Sequence, residues 1–268
     1  MKSSHFLYII IFFLSLVSCT EVIDIDINAA HPQLVVEAGI GLNEPARVVL
    51  TRSISLDDSI QIPFEENAEV VLYVKGGKSE KLFEVTPGIY LSSTITGEVG
   101  KTYNLAINTP SEKVTSESTM PLKVSIDSLA VENSIYPGGG PPKGNQPAPF
   151  YEIRVKYTDP ADRQNFYRFL VYVNGVLIAR NSVINDRLFN GNKTEAFLVV
   201  YNPELKTGDK ISVEMQCIEK PVYEYFNSIG SMRGPNSSSP ANPYTNLEGT
   251  ILGFFSAHTV EKVNYILK

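Results

Sequence analysis

The stretch FYEIRVKYT, residues 150–158, alternates strictly between large apolar and charged side chains. The apolar members are Tyr151, Ile153, Val155 and Tyr157, and the charged ones between them are Glu152, Arg154 and Lys156. Successive side chains of a β-strand point to opposite faces of the sheet, so this stretch predicts a strand with one buried and one solvated face. Such strands are typical of antiparallel sheets that pack on one side only.

The same alternation recurs on both sides of this stretch. Short runs separated by clusters of Gly, Pro, Asn and Asp predict strands at 33–38, 47–53, 69–75, 81–85, 101–108, 123–132, 165–174 and within 250–267. The sequence therefore predicts an all-β protein with two antiparallel β-sandwich domains of immunoglobulin-like type. The pattern at Gly100–Leu105 also resembles that of transthyretin-like sandwiches. We place the N-terminal sandwich at 33–121 and the C-terminal sandwich at 122–268.

One short helix is expected in the second sandwich, at about 221–229. Val222, Phe226 and Ile229 recur at helical spacing, Pro221 suits a first helical position, and Gly230 can close the helix.

Composition limits the class of partner. The chain of 268 residues carries a net charge of −6, and its acidic residues are scattered. Binding to nucleic acid calls for a basic stripe that replaces counterions on the phosphates. The sequence therefore predicts no nucleic-acid partner.

The first 18 residues read as an export signal that is removed from the mature protein. Lys2 provides the positive start, and the apolar run at 6–17 is shorter than the roughly 20 residues that span a bilayer. The sequence Leu16-Val17-Ser18-Cys19 is similar to the bacterial lipobox, in which the cysteine is lipidated and becomes the first residue. We therefore predict lipidation at Cys19. An ordinary secretory signal with an incidental cysteine is the alternative.

Residues 19–32 form either a lipidated tether or a first strand. Asp24, Asp26 and Asn28 copy the first half of a calcium loop, but Ala29 stands where glycine is needed and Val35 where a glutamate is needed. We expect no metal and no cofactor.

No complete catalytic set emerges. After the signal the chain keeps two histidines, His31 and His258. His258 is a conceivable base for a nucleophile, but the pattern at 230–234 is one residue away from a nucleophile elbow. Every second residue from Ile211 to Cys217 is apolar, so Cys217 is predicted to be a buried, inert thiol on the core side of this stretch. Gly39-Ile40-Gly41 lacks the third glycine of a phosphate loop.

Two further kinds of site stay open. Paired carboxylates for hydrolysis are set by distance in space and not by sequence. A stacking surface for sugars or peptides is conceivable on Tyr136, Tyr151, Tyr223, Tyr225 and Tyr244, although such tyrosines are more often structural.

Several short stretches, in order, resemble the domain of unknown function 4249 family of Bacteroidota lipoproteins. They include Gly100-Lys101-Thr102-Tyr103-Asn104-Leu105, Met120-Pro121, Asn165-Phe166-Tyr167-Arg168-Phe169, Asn246-Leu247-Glu248-Gly249 and Leu252-Gly253-Phe254-Phe255. The resemblance implies an uncharacterised cell-envelope lipoprotein of the outer membrane, often found with TonB-dependent receptors. It implies no catalytic residues.

The leading hypothesis is a lipid-anchored, non-enzymatic accessory or binding partner of a TonB-dependent outer-membrane receptor system, held to the membrane through Cys19. The alternatives are a stand-alone surface lipoprotein that binds glycans or peptides and, less favoured, a carboxylate-based hydrolase. The sequence does not distinguish the periplasmic from the surface face of the membrane.

Overall fold

The computed structural model describes residues 32–54, 62–134, 150–200, 205–232 and 242–268. These residues form sixteen strands and one helix. The strands are β1 (Leu34–Gly41), β2 (Pro45–Arg52), β3 (Glu69–Val74), β4 (Ser79–Lys81), β5 (Phe83–Thr86), β6 (Ile89–Thr96), β7 (Thr102–Asn108), β8 (Lys113–Thr119), β9 (Ile126–Ser134), β10 (Phe150–Thr158), β11 (Phe166–Val173), β12 (Val176–Asn185), β13 (Lys193–Val200), β14 (Lys210–Ile218), β15 (Leu247–Glu248) and β16 (Leu252–Ile266). The helix, α1, is Lys220–Met232.

The strands form one long sheet and two shorter ones. The long sheet has eight strands in the order β12-β11-β14-β16-β1-β2-β6-β5. A five-stranded sheet, β15-β8-β7-β3-β4, combines four strands of the N-terminal half with β15 from near the chain end. A three-stranded sheet, β13-β10-β9, belongs to the C-terminal half. The prediction of an all-β, sandwich-like fold is confirmed.

Two hydrophobic cores lie between these sheets. The first joins strands of the N-terminal half with Leu247, Phe255 and Ala257 from near the chain end. The second runs from Val124 to Leu267. The first core's N-terminal members end at Met120, close to the expected division at 121/122, but the eight-stranded sheet continues across this division. The division into sandwich domains at 33–121 and 122–268 stays a prediction.

β16 is the strand that both halves share. Its first part pairs in parallel with β1, from Val35↔Leu252 to Gly41↔His258. Its second part pairs antiparallel with β14, from Cys217↔Thr259 to Lys210↔Ile266. β16 therefore changes partner between His258 and Thr259.

Side chains replace a neighbouring strand along the first part of β16. Asn246 Nδ2 donates to Phe255 O at 2.7 Å, and Phe255 N donates to Asn246 Oδ1 at 3.0 Å. Thr245 Oγ1 donates to Gly253 O, and Ala257 N donates to the Ser118 hydroxyl. These bonds satisfy backbone groups of β16 that β14 does not reach. They stabilise the fold, because a buried backbone group without a hydrogen-bond partner is costly.

α1 packs on the eight-stranded sheet, on the face away from the second core. Val222, Tyr225 and Phe226 bury their side chains against Phe166 of β11 and Phe254 of β16. β11 is therefore covered on both faces, which explains why its run of apolar residues is nearly continuous.

The predicted helix at 221–229 is confirmed, with Lys220 as its first residue. The expectation that Gly230 closes it is wrong, because Gly230 lies inside the helix, which continues to Met232. Nothing lies within 4 Å of a Cβ built on Gly230, so this position is open. A glycine inside a helix costs only about 1 kcal/mol relative to Ala, so the helix can continue through it. In the described part of the chain, no helix is both long and apolar enough to cross a membrane.

Candidate functional site

A cleft of about 310 Å³ opens over β1 and is lined by residues of β1, β2, β11, β12 and β16 and of the turn between β1 and β2. We call it the β1 cleft. Its lining consists of Glu37, Ala38, Gly39, Gly41, Glu44, Pro45, Arg47, Arg168, Leu177, Phe254 and His258. It contains the one histidine among the described residues and brings together side chains of both signs.

Two glycines of β1 leave room for the cleft. Gly39 and Gly41 lie two residues apart on one face of the strand, opposite Ser256 and His258. A Cβ on Gly39 would lie 3.4 Å from His258 Cε1, and a Cβ on Gly41 would lie 2.6 Å from Glu44 Oε2. Gly39-Ile40-Gly41 is therefore a strand segment. The His258 ring and the Glu44 carboxylate lie where side chains at positions 39 and 41 would lie.

Arg168 supplies a positive charge held in a fixed position. The side chain is 9% exposed, and its Cζ lies 3.9 Å from the Phe226 ring centroid and 5.8 Å from that of Phe254. Its Nη1 donates to Gln216 Oε1 at 3.2 Å. A guanidinium on an aromatic face is stabilised electrostatically, and this packing restrains its movement.

His258 is an uncharged group of the site at neutral pH. Burial of the ring, together with the positive charge of Arg168, lowers the pKa of His258 from 6.5 to about 4. Nδ1 lies 3.2 Å from both the carbonyl oxygen and the hydroxyl of Ser256. The contact with the carbonyl favours the tautomer with a proton on Nδ1, which leaves Nε2 as an acceptor.

Three charged side chains around the cleft are exposed. Glu37, Glu44 and Arg47 form no ion pair with any residue that the structure describes. Elsewhere the charges are often engaged: Arg52, for example, binds Glu65 and Glu112 at 2.7 Å each. The β1 cleft therefore offers charges of both signs to a bound molecule.

The residues that the structure describes do not place a reachable nucleophile beside His258. Ser256 contacts its ring but is 1% exposed, so a substrate cannot reach the hydroxyl. Glu37 and Glu44 both line the cleft, and the hypothesis of paired carboxylates stays a prediction. What the arrangement can do chemically is bind a polar molecule through charges and hydrogen bonds.

Other predicted site residues fall elsewhere. Cys19, Asp24, Asp26, Asn28 and His31 lie outside the described residues. Cys217 is a buried free thiol, as predicted, and burial raises its pKa.

The tyrosines do not form a common surface. Tyr151 is buried and its hydroxyl donates to Leu205 O at 3.1 Å. Tyr223 and Tyr225 belong to the cluster under α1, so these three are structural. Tyr244 is 71% exposed, and Tyr136 lies outside the described residues. Among the residues that the structure describes, no group of three or more His, Cys, Asp or Glu side chains could hold a metal ion.

Sequence reasoning missed Arg168, although a signal was present. A single arginine inside the otherwise apolar Phe166–Val173 indicates a buried charge, and buried charges are paired or functional. Gly39 and His258 were each considered alone, because more than 200 residues separate them in the sequence and only the β1–β16 pairing brings them together.

The fold and the cleft define an all-β, sandwich-like protein with a polar, mixed-charge cleft beside the strand that its two halves share. Residues 20–263 match the family described as domain of unknown function (DUF4249), and the chain belongs to this family. No curated protein matches the chain.

Proposed function

We propose that this protein is a lipid-anchored protein of the cell envelope that acts by binding, as a non-enzymatic accessory of a TonB-dependent receptor system in the outer membrane. The observation that carries the proposal is Leu16-Val17-Ser18-Cys19 directly after a short apolar run. Lipidation at Cys19 would tie the β-sheet body to the bilayer. Several acyl chains, at about 0.8 kcal/mol per buried methylene, give an anchor that does not readily dissociate.

The distance between anchor and body suits an accessory protein close to the membrane. β1 begins at Leu34. Fully extended, the chain from Cys19 to Gln33 reaches at most about 46–50 Å from the bilayer. The body would therefore stay within reach of the membrane-proximal parts of a receptor.

Replacement of Cys19 tests the anchor. We expect Cys19→Ala, expressed as the full chain, to leave the membrane fraction, because no acylation can occur without the thiol. Cys217→Ala is the matched control, since it removes the other of the two cysteines and leaves the anchor in place. A Cys19→Ala protein that still sediments with membranes at the control's level would refute the anchor.

Purification in mild detergent from the native membrane tests the receptor partner. We expect a TonB-dependent receptor to be recovered with the wild-type protein and to be lost from the Cys19→Ala preparation. Recovery of the anchored protein with no transporter or other envelope protein would contradict the partnership while leaving the anchor intact.

A stand-alone binding lipoprotein is the second candidate, and the β1 cleft favours it. A site that presents charges of both signs can hold a small ligand without help from a receptor. Saturable ligand binding by the purified full chain, in the absence of any co-purified receptor, would support this candidate over the first.

A further inference from the structure

The β1 cleft carries charges of both signs at its rim. Arg47 lies on β2, opposite Gly39 of β1, and Glu37 is two residues before Gly39 on the same face. Glu44 comes from the turn between the two strands, with its carboxylate over Gly41. With Arg168, the described part of the lining holds two cationic and two acidic side chains, and its histidine is neutral.

This balance selects among ligands. A purely anionic ligand would face Glu37 and Glu44, and a purely cationic one would face Arg47 and Arg168. Like charges that are brought together repel each other, so each of these two ligands is disfavoured. A molecule that carries one charge of each sign avoids both penalties.

The rest of the lining indicates the ligand's body. Leu177 and Phe254 add apolar surface, and Leu177 is 39% exposed. The volume of about 310 Å³ lies at the lower end of the range for small-molecule sites, about 300–1,000 Å³. The cleft therefore suits a small zwitterion with an apolar side chain.

We propose that the β1 cleft binds a zwitterionic amino acid or short peptide, with its carboxylate toward Arg47 and Arg168 and its ammonium group toward Glu37 and Glu44. The apolar side chain of the ligand lies against Leu177 and Phe254. The inference rests on the binding role proposed above and adds the ligand's chemical class.

Titration calorimetry on the full chain in mild detergent tests this inference, with leucine and leucyl-leucine as probes. We expect saturable binding of at least one of them, and the tighter probe shows whether the source is a free amino acid or a peptide. N-acetyl-leucyl-leucine and leucyl-leucinamide each lack one terminal charge. We expect each to bind at least about tenfold more weakly, since a charge-assisted hydrogen bond contributes about 1.5–3 kcal/mol.

Two charge variants at the rim locate the site. We expect Glu44→Gln and Arg47→Gln each to weaken binding of the unblocked probe by about tenfold. Both side chains are exposed, so the fold should tolerate the changes. Glu66→Gln and Arg187→Gln are matched controls, because both residues are exposed and lie outside the cleft. We expect them to bind as the wild type does.

A third variant fills the floor of the cleft. Gly39→Ala places a methyl group 3.4 Å from His258 Cε1, which the strand can accommodate. We expect it to weaken binding while the thermal unfolding temperature changes little. Gly230→Ala is its control, because that position is open and outside the cleft.

Three results would overturn the inference: no binding of either unblocked probe at millimolar concentration, equal binding of blocked and unblocked peptides, or equal loss of binding in the rim variants and their controls. None of these results would contradict the membrane anchor or the receptor partnership, because fractionation and co-purification test those proposals separately.

Discussion

Replacement of Arg52 by Gln removes the cation that joins two glutamates near the end of β2. Arg52 Nε donates to Glu65 at 2.7 Å, and its Nη1 and Nη2 donate to the two oxygens of Glu112 at 2.7 and 2.9 Å. These bonds connect the eight-stranded sheet with the loop between β7 and β8. Without Arg52, two partly buried carboxylates lose their counterion, so we expect the protein to be less stable.

The magnitude follows from the state of Glu112. Its hydrogen bonds with Arg52 are the main reason that the pKa of Glu112 is lowered from 4.5 to about 2. At about 1.36 kcal/mol per pH unit, this difference of about 2.5 corresponds to roughly 3.4 kcal/mol as an upper limit. The Glu112 side chain is 28% exposed, and solvent screening reduces the value. We expect Arg52→Gln to lose about 1–2 kcal/mol at pH 7.

The pH dependence has a definite sign. A carboxylate with a lowered folded-state pKa stabilises the protein above its unfolded pKa and loses that contribution as the pH falls. The deficit of Arg52→Gln should therefore be full above about pH 5 and shrink as the pH falls from 4.5 toward 2. Burial raises the pKa of Glu80, but hydrogen bonds with Ser93, Thr94 and Ile95 outweigh it and lower this pKa to about 2. Glu80 is present in both proteins, so its effect cancels in the difference.

Urea unfolding followed by circular dichroism measures this difference, because the chain has no Trp to report by fluorescence. Arg187→Gln, at an exposed position, is the control and should be close to wild type. A deficit that is absent at pH 7, or that stays constant down to pH 2, would refute the reasoning.

Three further predictions concern the shared strand and its surroundings. Gly253→Ala should lower the free energy of unfolding by at least about 3 kcal/mol or fail to fold, because φ is +110° there and a Cβ would lie 1.9 Å from Val36 O. Denaturant unfolding measures this against Gly230→Ala, whose position is open. Equal stability of the two variants would contradict the prediction. Asn246→Ala should lower the free energy of unfolding by about 1–3 kcal/mol, because it leaves the Phe255 backbone N–H and C=O without their side-chain partner. Thermal unfolding measures the loss against Asn192→Ala, at an exposed position. Equal stability of the two variants would contradict the prediction. The thiol of Cys217 should react with a thiol reagent only after unfolding, because the side chain is 3% exposed; rapid labelling of the native protein would contradict its burial.

Periodicity in the sequence predicts strands in which apolar and polar side chains alternate, but it did not predict β6, β8, β12 and β13. The stretch at 150–158 forms β10 with the expected bounds, and 165–174 becomes β11. The helix was predicted from three apolar positions, but its end was not. Gly230 tolerates helical geometry at an exposed site, so a glycine there does not force the helix to stop.

Pairing between distant strands could not be predicted from the sequence. The parallel contact of β1 with β16 joins the two ends of the described chain, and nothing local in either strand specifies it. Asn246 and Gly253 look like ordinary turn residues. Asn246, however, bonds the edge of β16 that β14 does not reach, and Gly253 allows the close approach of β16 to β1. The β1 cleft depends on this pairing, so its parts could be recognised singly but not as one site.

The lipid anchor is the central claim, and intact-mass spectrometry of the protein isolated from its native membrane tests it most directly. We predict a mature chain that begins at Cys19 and carries the added mass of acyl chains on that residue. A mature chain that begins at another residue, or that begins at Cys19 without added mass, would contradict the account.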